Sequence, residues 1–174
     1  TMKNNLSIKD FFKNITKNSM ALSGIVLILM LIIASVFSPY FLTIFNLQSL
    51  MRDIAFIGMI AAAQSLLLLI GELDLSVGKI ATLSGVLAGL MMTVLKINPF
   101  ICMICGLLIG TLFGFINGML ITRLKLNAMV ATIGMQSVYA GITLVITKGK
   151  AVTDIPEAIY FLGKGTLLAI PIPF

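Results

Sequence analysis

The chain has 174 residues, of which 59% are hydrophobic and 10% are charged, and its formal net charge is +6. Soluble domains carry roughly 25% charged residues, so this composition excludes a water-soluble enzyme. The basic residues are scattered at the ends of apolar segments, which indicates positive-inside anchoring and argues against nucleic-acid binding. The chain has no histidine and two cysteines. The composition therefore predicts an integral membrane protein with no metal and no cofactor.

The first 18 residues differ from the rest of the chain because they are basic. In residues 7–17, apolar side chains recur at the i, i+3, i+4 and i+7 positions of a helix, and charged side chains take the other face. This pattern predicts a short amphipathic helix on the anionic inner leaflet, with a frayed basic tail as the alternative. Its lysines predict a cytoplasmic N-terminus. The expected domains are a cytoplasmic segment, 1–18, and a transmembrane domain, 19–174.

Apolar runs of membrane-spanning length follow in chain order, each of about 20 residues. The predicted spans cover about residues 20–37, 54–70, 79–95, 100–122 and 127–147. A more polar stretch follows, and the sequence turns apolar again from Thr166 to Phe174. The predicted fold is all-α: a polytopic helix bundle of about five transmembrane helices plus the start of a sixth, preceded by the amphipathic helix.

Small residues recur every fourth position in two of the predicted spans. They are Gly106, Gly110, Gly114 and Gly118 in the fourth span, and Ala81, Gly85 and Gly89 in the third. Lipid provides no hydrophobic drive for helices to associate, so such seams allow close backbone approach. We expect these residues to form helix-packing faces. Cys102 and Cys105 share one helix face in an apolar segment, where thiolates are disfavoured, and we interpret them as packing residues.

The turn between the second and third spans concentrates the polar chemistry. It contains Glu72 and Asp74 between Gly71 and Gly78. An ionisable group within the bilayer costs about 2.5 kcal/mol or more, so it marks a wet cavity or a partner. Asp74 or Ser76 is also suited to cap the third helix. Physical reasoning leaves two interpretations open: a turn with a capping aspartate, and a helix break that lines a translocation path.

Four segments resemble one family of transport proteins. Residues 71–78, Gly-Glu-Leu-Asp-Leu-Ser-Val-Gly, resemble the Gly-Gly-Ile-Asp-Leu-Ser-Val-Gly segment of the ribose-type (simple-sugar) permeases of ABC importers. Asn46-Leu47, the Gly-x-x-Asn-Gly at 114–118 and Met-Val-Ala-Thr-Ile-Gly at 129–134 fall in the same order as their counterparts. Glu72 replaces a glycine of that family and Met129 a phenylalanine. The family's permeases are roughly twice as long, so the resemblance is to their N-terminal half.

The resemblance implies a non-enzymatic permease subunit in the bacterial plasma membrane. Its implied partners are a second permease subunit (a homodimer or heterodimer), a separate ABC ATPase, an extracytoplasmic sugar-binding protein and membrane lipid. Residues of the matching motifs then become candidates for lining or gating the translocation path. These candidates are Gly71, Glu72, Asp74, Ser76, Gly78, Asn117 and Thr132.

Three alternatives remain open at the level of sequence. Branched-chain amino-acid permeases of ABC importers have a similar fold and a related turn, although the Asp-Leu-Ser-Val-Gly motif favours the sugar permeases. A secondary transporter would use Glu72 and Asp74 as a proton-coupling pair. A truncated, transport-inactive membrane protein would only assemble with helices of another chain.

Overall fold

The computed structural model describes residues 19–167 and 170–173 of the chain. Helices account for about three quarters of this part, and its two strands contain two residues each. The all-α fold class predicted from the sequence is therefore confirmed. The chain divides into two compact units, with the boundary after Leu50. The amphipathic helix predicted within residues 1–18 lies outside the described residues.

The first unit contains a long apolar helix, α1 (Ser19–Phe37), which has no charged residue. It ends before Pro39, whose nitrogen has no hydrogen to donate to the preceding turn of helix. A short turn then leads to Thr43. Its Oγ1 accepts a hydrogen bond from the Asn46 N–H at 3.4 Å and so caps the start of the next helix.

That helix, α2 (Ile44–Leu69), is 26 residues long. It begins well before Ile54, where the predicted second span starts, and it includes Arg52 and Asp53. The sequence interpretation placed these two charges ahead of the helix. Hydropathy identifies only the apolar part of a helix, whereas the backbone hydrogen bonds continue back to the cap at Thr43.

The second unit is built on α3 (Val77–Thr93), α4 (Pro99–Thr122) and α5 (Ala128–Thr147). These three helices agree with the predicted third, fourth and fifth spans to within a few residues. α3 contacts both α4 and α5, and α4 contacts α5. The N-terminus of α3, the C-terminus of α4 and the N-terminus of α5 meet at one end of this unit.

The two connections between these helices share one local design. Lys96 after α3 and Lys125 after α4 have φ values of 54° and 53°, in the left-handed region. In each case an asparagine two residues later caps the next helix. Asn98 Oδ1 accepts from the Phe100 N–H at 2.9 Å, and Asn127 Oδ1 accepts from the Val130 N–H at 3.2 Å. A left-handed residue followed by a cap reverses the chain within a few residues.

α3 and α4 approach closely where two glycines of α4 face α3. A Cβ at Gly106 would lie 3.1 Å from the Ala88 Cβ, and a Cβ at Gly110 would lie 3.6 Å from the Ser84 Oγ. A buried cluster of Ala88, Met92 and Cys102 continues this contact toward the end of α3. Cys102 thus lies in the packed core.

Four other glycines of the predicted packing faces do not lie at the contact between α3 and α4. A Cβ at Gly85, Gly114 or Gly118 would meet no atom within 4 Å among the described residues. Gly89 faces Val152 at 3.2 Å, in the connection after α5. Gly85 and Gly89 of the predicted α3 face therefore do not lie at the contact with α4. Spacing gives the period of a seam but not which of two adjacent helix faces forms the contact. The residues of α3 that approach the α4 glycines are Ile80, Ser84 and Ala88.

The end of the chain forms a short helix and a hairpin. They are α6 (Glu157–Lys164), β1 (Thr166–Leu167) and β2 (Ile170–Pro171), with Thr166 paired to Pro171 and Leu167 to Ile170. The prediction that a sixth transmembrane helix begins at Thr166 is wrong for these residues. Pro171 and Pro173 have no N–H, so a helix through this stretch would lose backbone hydrogen bonds.

Four helices among the described residues are long and apolar enough to cross a bilayer: α1, α2, α4 and α5. α3, the predicted third span, has 17 residues. That length gives about 25 Å at 1.5 Å per residue, near the lower limit for a span. At most 17% of any of the four spanning windows is buried inside the chain. Their apolar side chains therefore face lipid or other protein segments, as in a multi-pass membrane protein.

Candidate functional site

The turn between α2 and α3 starts with a glycine in the left-handed conformation. Gly71 has a φ of 79°, which costs a glycine little and other residues considerably more. Its N–H donates to the Leu68 carbonyl at 3.0 Å, and the Glu72 N–H donates to the Leu67 carbonyl at 3.0 Å. These bonds close the end of α2 and direct the chain back toward the start of α3.

Asp74 organises the second half of the turn. Its Oδ1 accepts a hydrogen bond from the Ser76 N–H at 2.7 Å and another from the Ser76 Oγ at 2.6 Å. Ser76 is the N-cap residue of α3, but its side chain makes no capping hydrogen bond. Of the two capping residues considered from the sequence, Ser76 therefore does not act as a cap. Its hydroxyl is directed to the carboxylate.

The Ser76 hydroxyl also connects α3 to the two helices that follow. Asn117 Nδ2 in α4 donates to Ser76 Oγ at 2.6 Å. Tyr139 OH in α5 donates to Asn117 Oδ1 at 2.8 Å and lies 3.2 Å from the Phe113 carbonyl oxygen. Ser76, Asn117 and Tyr139 are each at most 2% exposed. Asp74, Ser76, Asn117 and Tyr139 form a continuous series of hydrogen bonds, which we call the polar relay.

An aromatic contact holds the Tyr139 end of the relay in place. The centroids of Phe113 and Tyr139 are 4.9 Å apart, and the ring planes are inclined by 51°. Tilted aromatic pairs at this separation are favourable beyond the area that they bury. The Tyr139 ring thus packs on α4 while its hydroxyl bonds to the same helix.

Thr132 provides a second connection between the turn and α5. Its fully buried Oγ1 accepts a hydrogen bond from the Leu75 N–H at 3.2 Å and donates to the Ala128 carbonyl at 2.8 Å. The Leu75 N–H lies in the turn, outside any helix, and would otherwise have to find another acceptor. Thr132 therefore satisfies a turn donor that the helical ladders do not reach.

A cavity of about 120 Å³ lies beside the turn. Two carboxylates, one amide and the backbone of two glycines supply the more polar part of its wall, and aliphatic side chains supply the rest. Its lining residues are Leu67, Glu72, Leu73, Asp74, Gly114, Asn117, Gly118, Ile121 and Ala128. Glu72 is exposed and Asp74 half-buried. Because Gly114 and Gly118 have no neighbour at the Cβ position, their backbones leave this part of the cavity open.

The structure brings together most of the residues predicted from the sequence, in two distinct settings. Glu72, Asp74 and Asn117 line the cavity, whereas Ser76 and Thr132 are fully buried behind it. Gly71 shapes the turn. Gly78 lies in the first turn of α3, away from the cavity lining, with no atom within 4 Å of its Cβ position.

Sequence reasoning did not identify Tyr139. A signal was present, because Tyr139 lies seven residues after Thr132 in an apolar helix, and residues seven apart share one face. A buried tyrosine hydroxyl requires a hydrogen-bond partner. A polar residue of α4 on the facing side was therefore to be expected, and Asn117 fills that place.

Metal binding has no support among the side chains in the described ranges. No group of three or more histidine, cysteine, aspartate or glutamate side chains comes together there in a way that would hold an ion. The chemistry available at the cavity is hydrogen bonding and charge.

Comparison with known proteins assigns the chain to a family. Residues 46–171 match the family described as the branched-chain amino acid transport system permease component. The chain belongs to this family. The matched range contains α3, α4 and α5, and with them the polar relay and the cavity.

Individual relatives are similar over most of the chain. The ribose import permease protein of Bacillus subtilis (strain 168) is 38% identical over 150 residues, which are 84% of this chain and 46% of that protein. The L-arabinose ABC transporter permease protein of Azospirillum brasilense is 35% identical over 153 residues, 87% of this chain and 45% of that protein. The chain thus spans about half the length of these relatives. No solved structure matches the chain significantly.

Proposed function

We propose that the chain forms part of the translocation path in the permease of an ATP-driven sugar importer. The observation that carries this proposal is the polar relay, which joins the turn at 71–78 to α4 and α5 beside a cavity with two carboxylates. Buried polar groups within membrane segments are costly and commonly mark substrate pathways. The ribose and L-arabinose permeases among the relatives support a sugar as the substrate class.

The relay suits a path that must alternate between two states. It fixes the Asp74 turn to two helices at one end of the unit, so a movement of the turn is transmitted to both. Discrete rearrangements of packed helices underlie many switching transitions. In this proposal Glu72 and Asp74 face the path, Asn117 connects the path to the relay, and Ser76 and Thr132 hold the turn in register. Gly71, Gly78, Gly114 and Gly118 shape the surrounding backbone.

The proposed assembly follows from the exposed surface and the relatives. The apolar side chains of α1 and α2 are largely exposed, which suits contact with lipid and further permease helices. We place the chain in a bacterial plasma membrane with a cytoplasmic segment at 1–18 and a transmembrane domain at 19–174. A second permease subunit, a separate ABC ATPase and an extracytoplasmic sugar-binding protein complete the importer, and the ATPase performs the hydrolysis.

The Asp74 carboxylate offers a selective test. In Asp74→Asn the remaining Oδ1 still accepts from Ser76, so the turn keeps its hydrogen bonds while the charge is lost. We expect this variant to insert normally and to lose nearly all uptake of radiolabelled ribose by proteoliposomes that contain the permease, its ATPase and its binding protein. Asp154→Asn, at an exposed aspartate after α5, is the matched control and should transport normally. Unchanged uptake by Asp74→Asn would refute the role of Asp74.

The same assay separates the alternatives. The family description names branched-chain amino acids, so leucine uptake without ribose uptake would assign the chain to that group of importers. Uptake that continues without ATP and is abolished by a protonophore would indicate a secondary transporter in which Glu72 and Asp74 exchange protons. A chain that inserts and assembles yet supports no uptake of either solute would be an assembly partner only.

A further inference from the structure

The segment after α5 contains a group of exposed apolar side chains that the transport proposal does not use. In α6, Tyr160 is 47% exposed and Phe161 is 59% exposed; in the hairpin, Leu167 is 70% exposed and Ile170 is 51% exposed. Leu167 and Ile170 are paired across the two strands, so their side chains lie on the same face of the hairpin. We call α6 and the hairpin together the terminal element.

The opposite side of the terminal element is anchored to the helical unit. Ile155, just before α6, and Ile159, within it, pack against the buried cluster of Ala88, Met92 and Cys102. That cluster lies at the C-terminal end of α3 and the N-terminal end of α4. Because both helices end there, the terminal element is held at the depth where membrane-embedded helices reach the bilayer surface.

The polar residues of the terminal element are those found at a membrane–water boundary. Lys164 Nζ lies 4.4 Å from the centroid of the Tyr160 ring and donates to the Tyr160 hydroxyl at 2.9 Å. Lysine and tyrosine side chains at this depth place their charged or hydroxyl ends in water and their apolar stems against lipid. Lys96, Lys148 and Lys150 follow the helix ends on the same side, and lysines at helix ends extend their charges to the membrane surface.

We propose that the terminal element lies in the membrane–water interface and that Phe161, Leu167 and Ile170 insert among the lipid acyl chains. The partner is therefore the lipid bilayer itself. A short amphipathic helix with an aromatic apolar face and a lysine at its end binds such an interface. The anchored isoleucines fix the element to the helix ends, so its position does not depend on whether the chain transports a solute.

The chain has no tryptophan, which gives a background-free fluorescence test. Phe161→Trp and Leu167→Trp each introduce a single reporter into the terminal element. Glu157→Trp, at the exposed polar start of α6, is the shallow control. Leu107→Trp, at an exposed position near the middle of α4, is the deep control. Each variant of the 174-residue chain is reconstituted into phosphatidylcholine–phosphatidylglycerol vesicles with bromine either near the head groups or near the ends of the acyl chains.

We expect Phe161→Trp and Leu167→Trp to lose most of their emission to bromine near the head groups, and to resist quenching by aqueous iodide. Leu107→Trp should respond mainly to bromine near the chain ends, and Glu157→Trp mainly to iodide. Strong iodide quenching of both reporters would place the terminal element in water and overturn the proposal. Reporters shielded from iodide and bromine alike would show that protein covers this face, which would overturn it as well.

Discussion

Hydrogen-bond donation runs in one direction through the polar relay, from Tyr139 to Asn117, then to Ser76 and finally to Asp74. Each hydroxyl or amide in the middle of the series both accepts and donates, and the carboxylate at its end only accepts. Hydrogen bonds aligned in this way polarise one another. The relay therefore fixes the orientation of the Asp74 carboxylate at the cavity while it connects the turn to α4 and α5.

Tyr139→Phe tests the end of the relay that lies in α5. The substitution keeps the ring against Phe113 and removes the hydroxyl, leaving the Asn117 Oδ1 without its donor. Hydrogen bonds between membrane helices average about 0.6 kcal/mol and reach about 1.7 kcal/mol, and we expect a loss of stability in that range. Unfolding by detergent titration, followed by circular dichroism, measures it. Tyr160→Phe, at an exposed tyrosine, should change little; equal losses in the two variants would contradict the account.

Thr132→Val tests the second connection at nearly constant side-chain shape. The variant loses the acceptor for the part-buried Leu75 N–H, and we expect a loss of about 0.5–1.5 kcal/mol, the net contribution of a typical intramolecular hydrogen bond. Thr122→Val is the matched control, because the exposed Thr122 hydroxyl bonds only within its own helix, to the Gly118 carbonyl. The same detergent titration should show a clear loss for Thr132→Val and almost none for Thr122→Val. A reversed order would exclude the proposed role of Thr132.

At the level of elements, the glycines of α4 divide into two functions. Gly106 and Gly110 contact α3, whereas Gly114 and Gly118 border the cavity. One regular spacing thus covers a packing contact at one end of the helix and an open space at the other. The spacing alone does not distinguish them, because it records the small size of the residues and not the distance to a neighbour.

Two matched substitutions separate these functions. Alanine favours a helix interior over glycine by up to about 1 kcal/mol, and Gly114→Ala should realise this gain because its methyl group meets no neighbour. Gly106→Ala should be less stable than Gly114→Ala, since its methyl group lies 3.1 Å from the Ala88 Cβ. Combining Gly106→Ala with Ala88→Gly should remove that crowding. Equal stabilities of the two single variants, measured by detergent titration, would contradict the close approach of α3 and α4.

The sequence predicted the elements better than the contacts between them. Hydropathy located the apolar helices, because a span must satisfy its backbone internally and expose apolar side chains. It placed the start of α2 too late, since Arg52 and Asp53 interrupt the apolar run but not the helix. Which face of α3 packs against α4 depends on how the two helices are rotated relative to each other. The hairpin after Gly165 depends on Pro171 and Pro173, which have no N–H to donate. Hydrophobic periodicity encodes neither effect.

The sequence also predicted part of the candidate site. The turn at 71–78 stands out by its charges in apolar surroundings, whereas Asn117 became a candidate through the motif that it shares with the resembling family. The structure brings the two together. That Ser76 bonds to Asp74 and Asn117 without capping α3 follows from the approach of three helices, which one sequence does not give. Tyr139 was missed because a single aromatic residue in an apolar span is ordinary.

At the scale of the whole molecule, the chain leaves much apolar surface uncovered. The spanning windows of α1 and α2 bury none of their residues inside the chain. A membrane bundle with such surfaces requires lipid or further helices around it. The chain also spans about half the length of the relatives that it matches.

The most direct test of the account is a chimera in which this chain replaces the matching part of the Bacillus subtilis ribose permease. Growth on ribose is measured in a strain that lacks its own ribose permease. We predict ribose-dependent growth with the chimera and none when it carries Asp74→Asn, with both proteins present in the membrane in equal amounts. A chimera that reaches the membrane and co-purifies with the ATPase, yet takes up no ribose, would contradict the proposed role of this chain in sugar import.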